Sequence, residues 1–151
     1  MSRFFKTNEN EILFWEAIGA DINGATTYSG KVGVKGELEK KLNRAELEKE
    51  VPKLIAEGYK KIAREEYKLL LVEFEENNSF TRQDKLKRAK LIEKLDVLLF
   101  STHLGECDED TEAKTKNVVC AVIDFNIAKK LIEENLKGTE FSDYTGILLA
   151  E

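Results

Sequence analysis

The sequence predicts an α+β protein made of two consecutive small domains, residues 1–63 and 64–151. Three observations predict it. Residues 3–42 are filled by alternating, aromatic-rich segments broken by turn residues. A capped helical pattern begins at Asn43. From Tyr67 onward, apolar runs of strand length alternate with leucine-rich stretches at helical spacing.

Arg3-Phe4-Phe5 reads as a short first strand, and Thr7 to Asn10 as a turn cluster. Glu11 to Asp21 reads as a second strand, rich in aromatic and branched residues. Asn23-Gly24 is a strong hairpin signal. Thr26 to Val34 follows as a third strand and Glu37 to Leu42 as a fourth. Asn43 is a good N-cap with Glu46 at the capping-box position, and Leu42 and Leu47 stand where a hydrophobic staple places its pair. Leu47, Val51, Leu54, Ile55 and Ile62 recur at helical spacing. Pro52 removes an intrahelical donor, so a kink or break is expected near Val51, and Gly58 weakens the last turn.

The junction is expected at Ala63 to Glu66, without a Pro/Gly/Ser-rich linker. Tyr67 to Glu75 reads as a buried strand. Thr81 with Asp84 reads as a second capped helix start, with Leu86, Leu91, Leu95, Leu98 and Leu99 facing inward and Gly105 just past the end. Glu106 to Asp108 and Asn117 to Phe125 read as strands around a polar hairpin loop. Asn126 caps a last helix with Ile127, Leu131, Ile132 and Leu136 inward and Gly138 stopping it, and Tyr144 to Leu149 closes the chain as a strand. The order β-α-β-β-α-β is the split pattern of a ferredoxin-like fold, one antiparallel sheet with both helices on one face.

Composition narrows the function. The chain has 151 residues, a net charge of −5 and only two cysteines. Residues 1–63 carry 11 Lys/Arg against 10 Asp/Glu, and residues 64–151 carry 13 against 19. The first part is therefore near neutral and can approach a polyanion, whereas the second suits a basic protein partner. No apolar run reaches membrane-spanning length, Met1 to Lys6 lacks a signal-peptide core, and two cysteines are too few for a secreted disulfide framework, so a cytoplasmic protein is expected, with no membrane partner.

Three blocks then carry a family resemblance. Leu13-Phe14-Trp15-Glu16, the run Gly30-Lys31-Val32-Gly33-Val34-Lys35-Gly36, and Lys53-Leu54-Ile55-Ala56-Glu57-Gly58-Tyr59 resemble a WGR domain, in the family's order and over about the first sixty residues. The resemblance implies a small antiparallel sheet with one helix against it, and contacts to DNA or to neighbouring domains. The name-giving Trp-Gly-Arg is Ser29-Gly30-Lys31 here. Ser29 lacks the flat ring that can face a nucleic-acid end, and Lys31 lacks the planar fork that grips phosphate. The strings Leu104 to Asp108, Asn117 to Cys120 and Ile123-Asp124 resemble a region that accompanies WGR-type domains in bacterial proteins.

Six residues form the candidate binding face: Tyr28, Lys31, Lys35, Lys40, Lys41 and Arg44. Such a cluster gives weak, salt-sensitive nucleic-acid binding, and Glu37 and Glu39 interrupt it. Glu106, Asp108, Glu109, Asp110 and Glu112 form an acidic loop suited to a basic protein, and it lacks the EF-hand pattern. His103, Cys107 and Cys120 are the only soft metal ligands; Cys107 and Cys120 read as buried free thiols, with a strained disulfide or an incomplete zinc site as alternatives. Gly30, Gly33 and Gly36 do not have P-loop spacing and read as bulges or points of close backbone approach, and Trp15 reads as core. No catalytic constellation, cofactor or metal site emerges, and homodimerisation through the open sheet face rests on fold analogy. The expected function is a non-catalytic binding module for nucleic acid or an accessory protein; the alternative is an acidic protein–protein inhibitor such as a toxin immunity protein.

Overall fold

A computed structural model describes residues 2–76, 79–107 and 114–150. The chain divides into two compact units, Met1–Arg64 and Glu65–Glu151, each with its own four-stranded antiparallel sheet. Three α-helices complete the α+β architecture among the described residues.

In the first unit, β1 (Ser2–Asn8), β2 (Glu11–Asp21), β3 (Gly24–Lys31) and β4 (Leu38–Leu42) form a meander in chain order. Alternation along β2 sends Trp15 and Ala17 to one face and Phe14 and Glu16 to the other. On the first face α1 (Arg44–Ala56) packs its buried Leu54 against Phe4, Trp15 and Ala17. Fully burying a side chain such as Leu54 contributes about 1.5–3 kcal/mol. The Phe4 and Trp15 rings, 5.8 Å apart and tilted by 59°, add roughly 0.5–1.5 kcal/mol. Trp15 is core, as its apolar neighbours imply.

The capping box of α1 forms: Asn43 Oδ1 accepts from Glu46 N–H at 2.9 Å, and Glu46 Oε1 accepts from Asn43 N–H at 3.1 Å. Pro52 does not break the helix, which runs on to Ala56; one rung is unmade, and buried Leu54 anchors the following turn. Ile55 is exposed and Ile62 lies outside the helix, so neither joins its apolar face. Gly58 does not weaken the last turn. It stands beyond the helix at φ 101°, where Tyr59 N–H reaches Leu54 O and Gly58 N–H reaches Ile55 O, a Schellman closure.

The third strand stops at Lys31 rather than Val34, because the chain turns at Val32 and Gly33. Gly33 and Gly36 have φ of 88° and 103°, and a Cβ on Gly30 would sit 3.3 Å from the Phe14 ring. The three glycines therefore serve backbone shape and close packing.

In the second unit the sheet order is β6-β7-β5-β8, every neighbour antiparallel. These strands are β5 (Lys68–Glu73), β6 (Gly105–Cys107), β7 (Val118–Val122) and β8 (Gly146–Ala150). The helix α2 (Arg82–Ser101) joins β5 to β6, and α3 (Phe125–Leu136) joins β7 to β8. Leu70, Val72, Val118, Cys120, Val122 and Ile147 are buried on one face, where the helices contribute Leu91, Leu95, Leu99 and Ile132. Leu69, Val119 and Leu148 are exposed on the other face.

The α2 capping box also forms, with Thr81 Oγ1 and Asp84 N 3.1 Å apart and Asp84 Oδ2 and Thr81 N 3.0 Å apart. Leu86 does not face inward: it is 56% exposed, and Arg88 and Ile92 are buried instead. Asp124, not Asn126, caps α3 by accepting from Ile127 N–H at 2.9 Å. Gly105 does not end α2. His103, at φ 58°, takes that left-handed position, with Leu104 N–H donating to Leu99 O and His103 N–H to Phe100 O.

Cys107 and Cys120 are not free thiols. They stand directly opposite on β6 and β7 and form a disulfide, with Cα atoms 4.1 Å apart. The Cys107 N–H donates to Asp96 Oδ1 of α2 at 3.0 Å, so this residue pair does not exchange ladder bonds. Such a pair brings side chains closest together, which is why the bridge closes.

Candidate interaction surface

The pairing register of the first sheet determines which candidate residues meet. One row across the sheet reads Arg3, Glu16, Tyr28, Glu39, and the next reads Ile18, Thr26, Lys41. Both rows lie on the face opposite Trp15 and α1. Arg3 Nε donates to Glu16 Oε2 at 2.9 Å, and this pair forms the buried end of its row. The other end is more open: Glu39 and Lys41 are exposed, Ile18 is 42% exposed, and Tyr28 is half-buried.

Carboxylates dominate the field around Tyr28. Desolvation first, then Glu39, Glu37 and Glu16, push its phenol above the ordinary tyrosine value. A phosphate placed at this ring would face the same repulsion.

The six candidate residues do not converge on one face. Tyr28 and Lys41 share the face just described, whereas Lys40 pairs with Thr27 and projects to the other side. Lys31 also lies on that other side, 3.4 Å from Glu11 Oε2. Arg44 is engaged with Glu48 Oε1 at 3.1 Å and with the Asp21 carbonyl at 3.3 Å. Lys35 is exposed in the turn between β3 and β4. Sequence reasoning missed Ile18 and the bracketing role of Glu39; the alternation of β2 and β4 held both signals, but the pairing register was needed to read them.

In the acidic candidate set, Glu106 is not a loop residue: it belongs to β6, half-buried and opposite Ala121. Asp108, Glu109, Asp110 and Glu112 lie outside the described residues. Among the described residues no group of three His, Cys, Asp or Glu side chains is placed to hold a metal ion, and no helix is long and apolar enough to cross a membrane. Comparison with protein-family models, with curated proteins and with solved structures gives no match to this chain.

Proposed function

We propose that the protein is a non-catalytic interaction module, a WGR-like domain joined to a ferredoxin-like domain, that recognises a protein partner through the Ile18–Tyr28–Lys41 face. The four-stranded meander with α1 against it supports the WGR-like reading of the first unit. The order β6-β7-β5-β8 with two crossover helices supports the ferredoxin-like reading of the second. The observation that carries the choice of partner is Tyr28 bracketed by Glu16 and Glu39 in one sheet row. An aromatic and an aliphatic side chain rimmed by charges of both signs is the composition of a protein interface, not of a phosphate-binding face.

The acidic inhibitor is the second reading, favoured by the 19 acidic against 13 basic residues in 64–151. The partner's charge separates the two. We retain a cytoplasmic location as part of the proposal. Both half-cystines are buried, Cys107 at 8% and Cys120 at 0% exposure, which slows attack by an external thiolate on the disulfide.

Affinity capture with the full tagged chain tests the reading. A stoichiometric protein partner is expected, lost on Tyr28→Ala and Lys41→Glu and retained on Lys40→Glu, which alters the opposite face. Capture unaffected by Tyr28→Ala and Lys41→Glu contradicts the assignment of this face. A strongly basic nuclease as partner favours the inhibitor reading.

A further inference from the structure

Four strands form the outer edges of the two sheets, and three of them are blunted. In β1, Phe5 exchanges backbone hydrogen bonds of 2.8 and 2.9 Å with Lys60. In β4, Glu39, Lys40 and Lys41 put three charges on a five-residue strand. In β6, the Asp96 carboxylate of α2 takes up the Cys107 N–H. Short edges, charges and side-chain covers are the devices by which sheets avoid pairing with another chain.

Among the described residues the fourth edge, β8, carries neither a charge nor a side-chain cover of this kind. It reads Gly146-Ile147-Leu148-Leu149-Ala150, without charge or proline, and β5 is its one neighbour in the sheet. Leu148 is 46% exposed and Leu149 is 51% exposed. We propose that β8 pairs antiparallel with β8 of a second copy, joining two four-stranded sheets into one of eight strands.

The strand is complementary to itself. With Leu148 opposite Leu148 of the second copy, Ile147 faces Leu149 and Gly146 faces Ala150, so apolar residues meet at every position. On the open face the row Val119, Leu71, Leu148 continues without a polar break into the same row of the second copy. A two-fold axis through Leu148 closes the assembly at a dimer. Five residues of pairing and two half-exposed leucines per copy fall short of the ~800 Å² per partner of a standard stable interface, so the dimer exchanges readily. This pairing is independent of the Tyr28 surface.

Sedimentation of the full chain over micromolar to millimolar concentration tests it. The expected mass rises from 17.2 kDa toward twice that value. Leu149→Lys, which places a charge in the new strand pair, is expected to hold the chain monomeric with unchanged circular dichroism. Leu86→Lys, at an exposed position of α2, is expected to dimerise like the parent. Amide exchange at 147–149 of the unaltered chain is expected to slow as concentration rises, a readout that does not depend on the variant folding. A parent that stays monomeric throughout, or a folded Leu149→Lys that dimerises equally well, overturns the proposal. Dimerisation abolished by Val119→Lys with unchanged exchange at 147–149 also overturns it, by assigning the contact to the open face.

Discussion

Arg3 and Glu16 face each other across β1 and β2, and the guanidinium Nε donates to Glu16 Oε2 at 2.9 Å. The Glu16 side chain is only 5% exposed, and Arg3 supplies it a charged donor. This pair fixes one end of the row whose other end we assign to partner binding. Arg3→Ala is expected to destabilise the fold by about 2–3 kcal/mol, the cost of a buried carboxylate losing a charged donor. Urea denaturation measures it, and Arg3→Ala/Glu16→Gln is expected to recover part of the loss.

Tyr28 provides an electrostatic readout of the surface itself. Its phenol is held up by desolvation first and then by Glu39, Glu37 and Glu16. Its phenolate is therefore expected above the ordinary tyrosine value of about 10. Glu39→Gln is expected to move that transition downward, as read in ultraviolet difference titration against Tyr28→Phe. An unchanged or upward transition would place Tyr28 away from the Glu39 carboxylate.

The Cys107–Cys120 bridge closes a loop with a sequence separation of 13. Chain-entropy arguments put such a crosslink at about 3 kcal/mol. Cys107→Ala/Cys120→Ala is expected to lose about that much stability. Thiol titration of the unreduced, denatured chain is expected to find no reactive thiol.

Two helices end in the same closure with different residues. Gly58 takes the left-handed position after α1 and His103 takes it after α2. A side chain there costs roughly 1–2 kcal/mol, partly offset by the entropy glycine loses on folding. His103→Gly is expected to stabilise by about 0.5–1 kcal/mol and Gly58→Ala to destabilise by about 1 kcal/mol, both read in thermal denaturation.

The α2 cap adds an acid-side dependence. The Thr81 backbone N–H first, then the Thr81 hydroxyl, Lys116 and Lys87, hold Asp84 below the ordinary carboxylate value of 3.8, against opposing desolvation. A lowered folded value means stability that is present above the unfolded value and lost as pH falls through the folded one. Asp84→Asn is expected to flatten the denaturation midpoint between neutral pH and the region below 3.8, relative to the parent.

Much of the fold was legible because local chemistry announced it. Asn43 with Glu46 and Thr81 with Asp84 marked two helix starts, and both boxes form. The alternation of β2 and the apolar runs of β5 and β7 marked strands that are present. Signals that depend on tertiary placement were illegible. Leu86 continues a helical period yet points outward, because α2 buries Arg88 and Ile92 instead. His103 acts as glycine usually does, and propensity does not reveal that. The hairpin pattern already sets Cys107 opposite Cys120, but sequence alone does not separate free thiols from the disulfide that forms. The basic cluster was legible as composition but not as geometry, since Lys40 and Lys41, adjacent in sequence, project to opposite faces.

Nucleic-acid binding tests the central claim most directly. Fluorescence anisotropy of the full chain with blunt, nicked and single-stranded DNA and RNA, across a salt series, is the measurement. We expect no salt-sensitive association even at low salt, because carboxylates flank Tyr28 and the basic residues are divided between two faces. Micromolar binding that weakens steeply with salt, and that is lost on Lys31→Glu or Lys35→Glu, would contradict the account and return the first unit to nucleic-acid recognition.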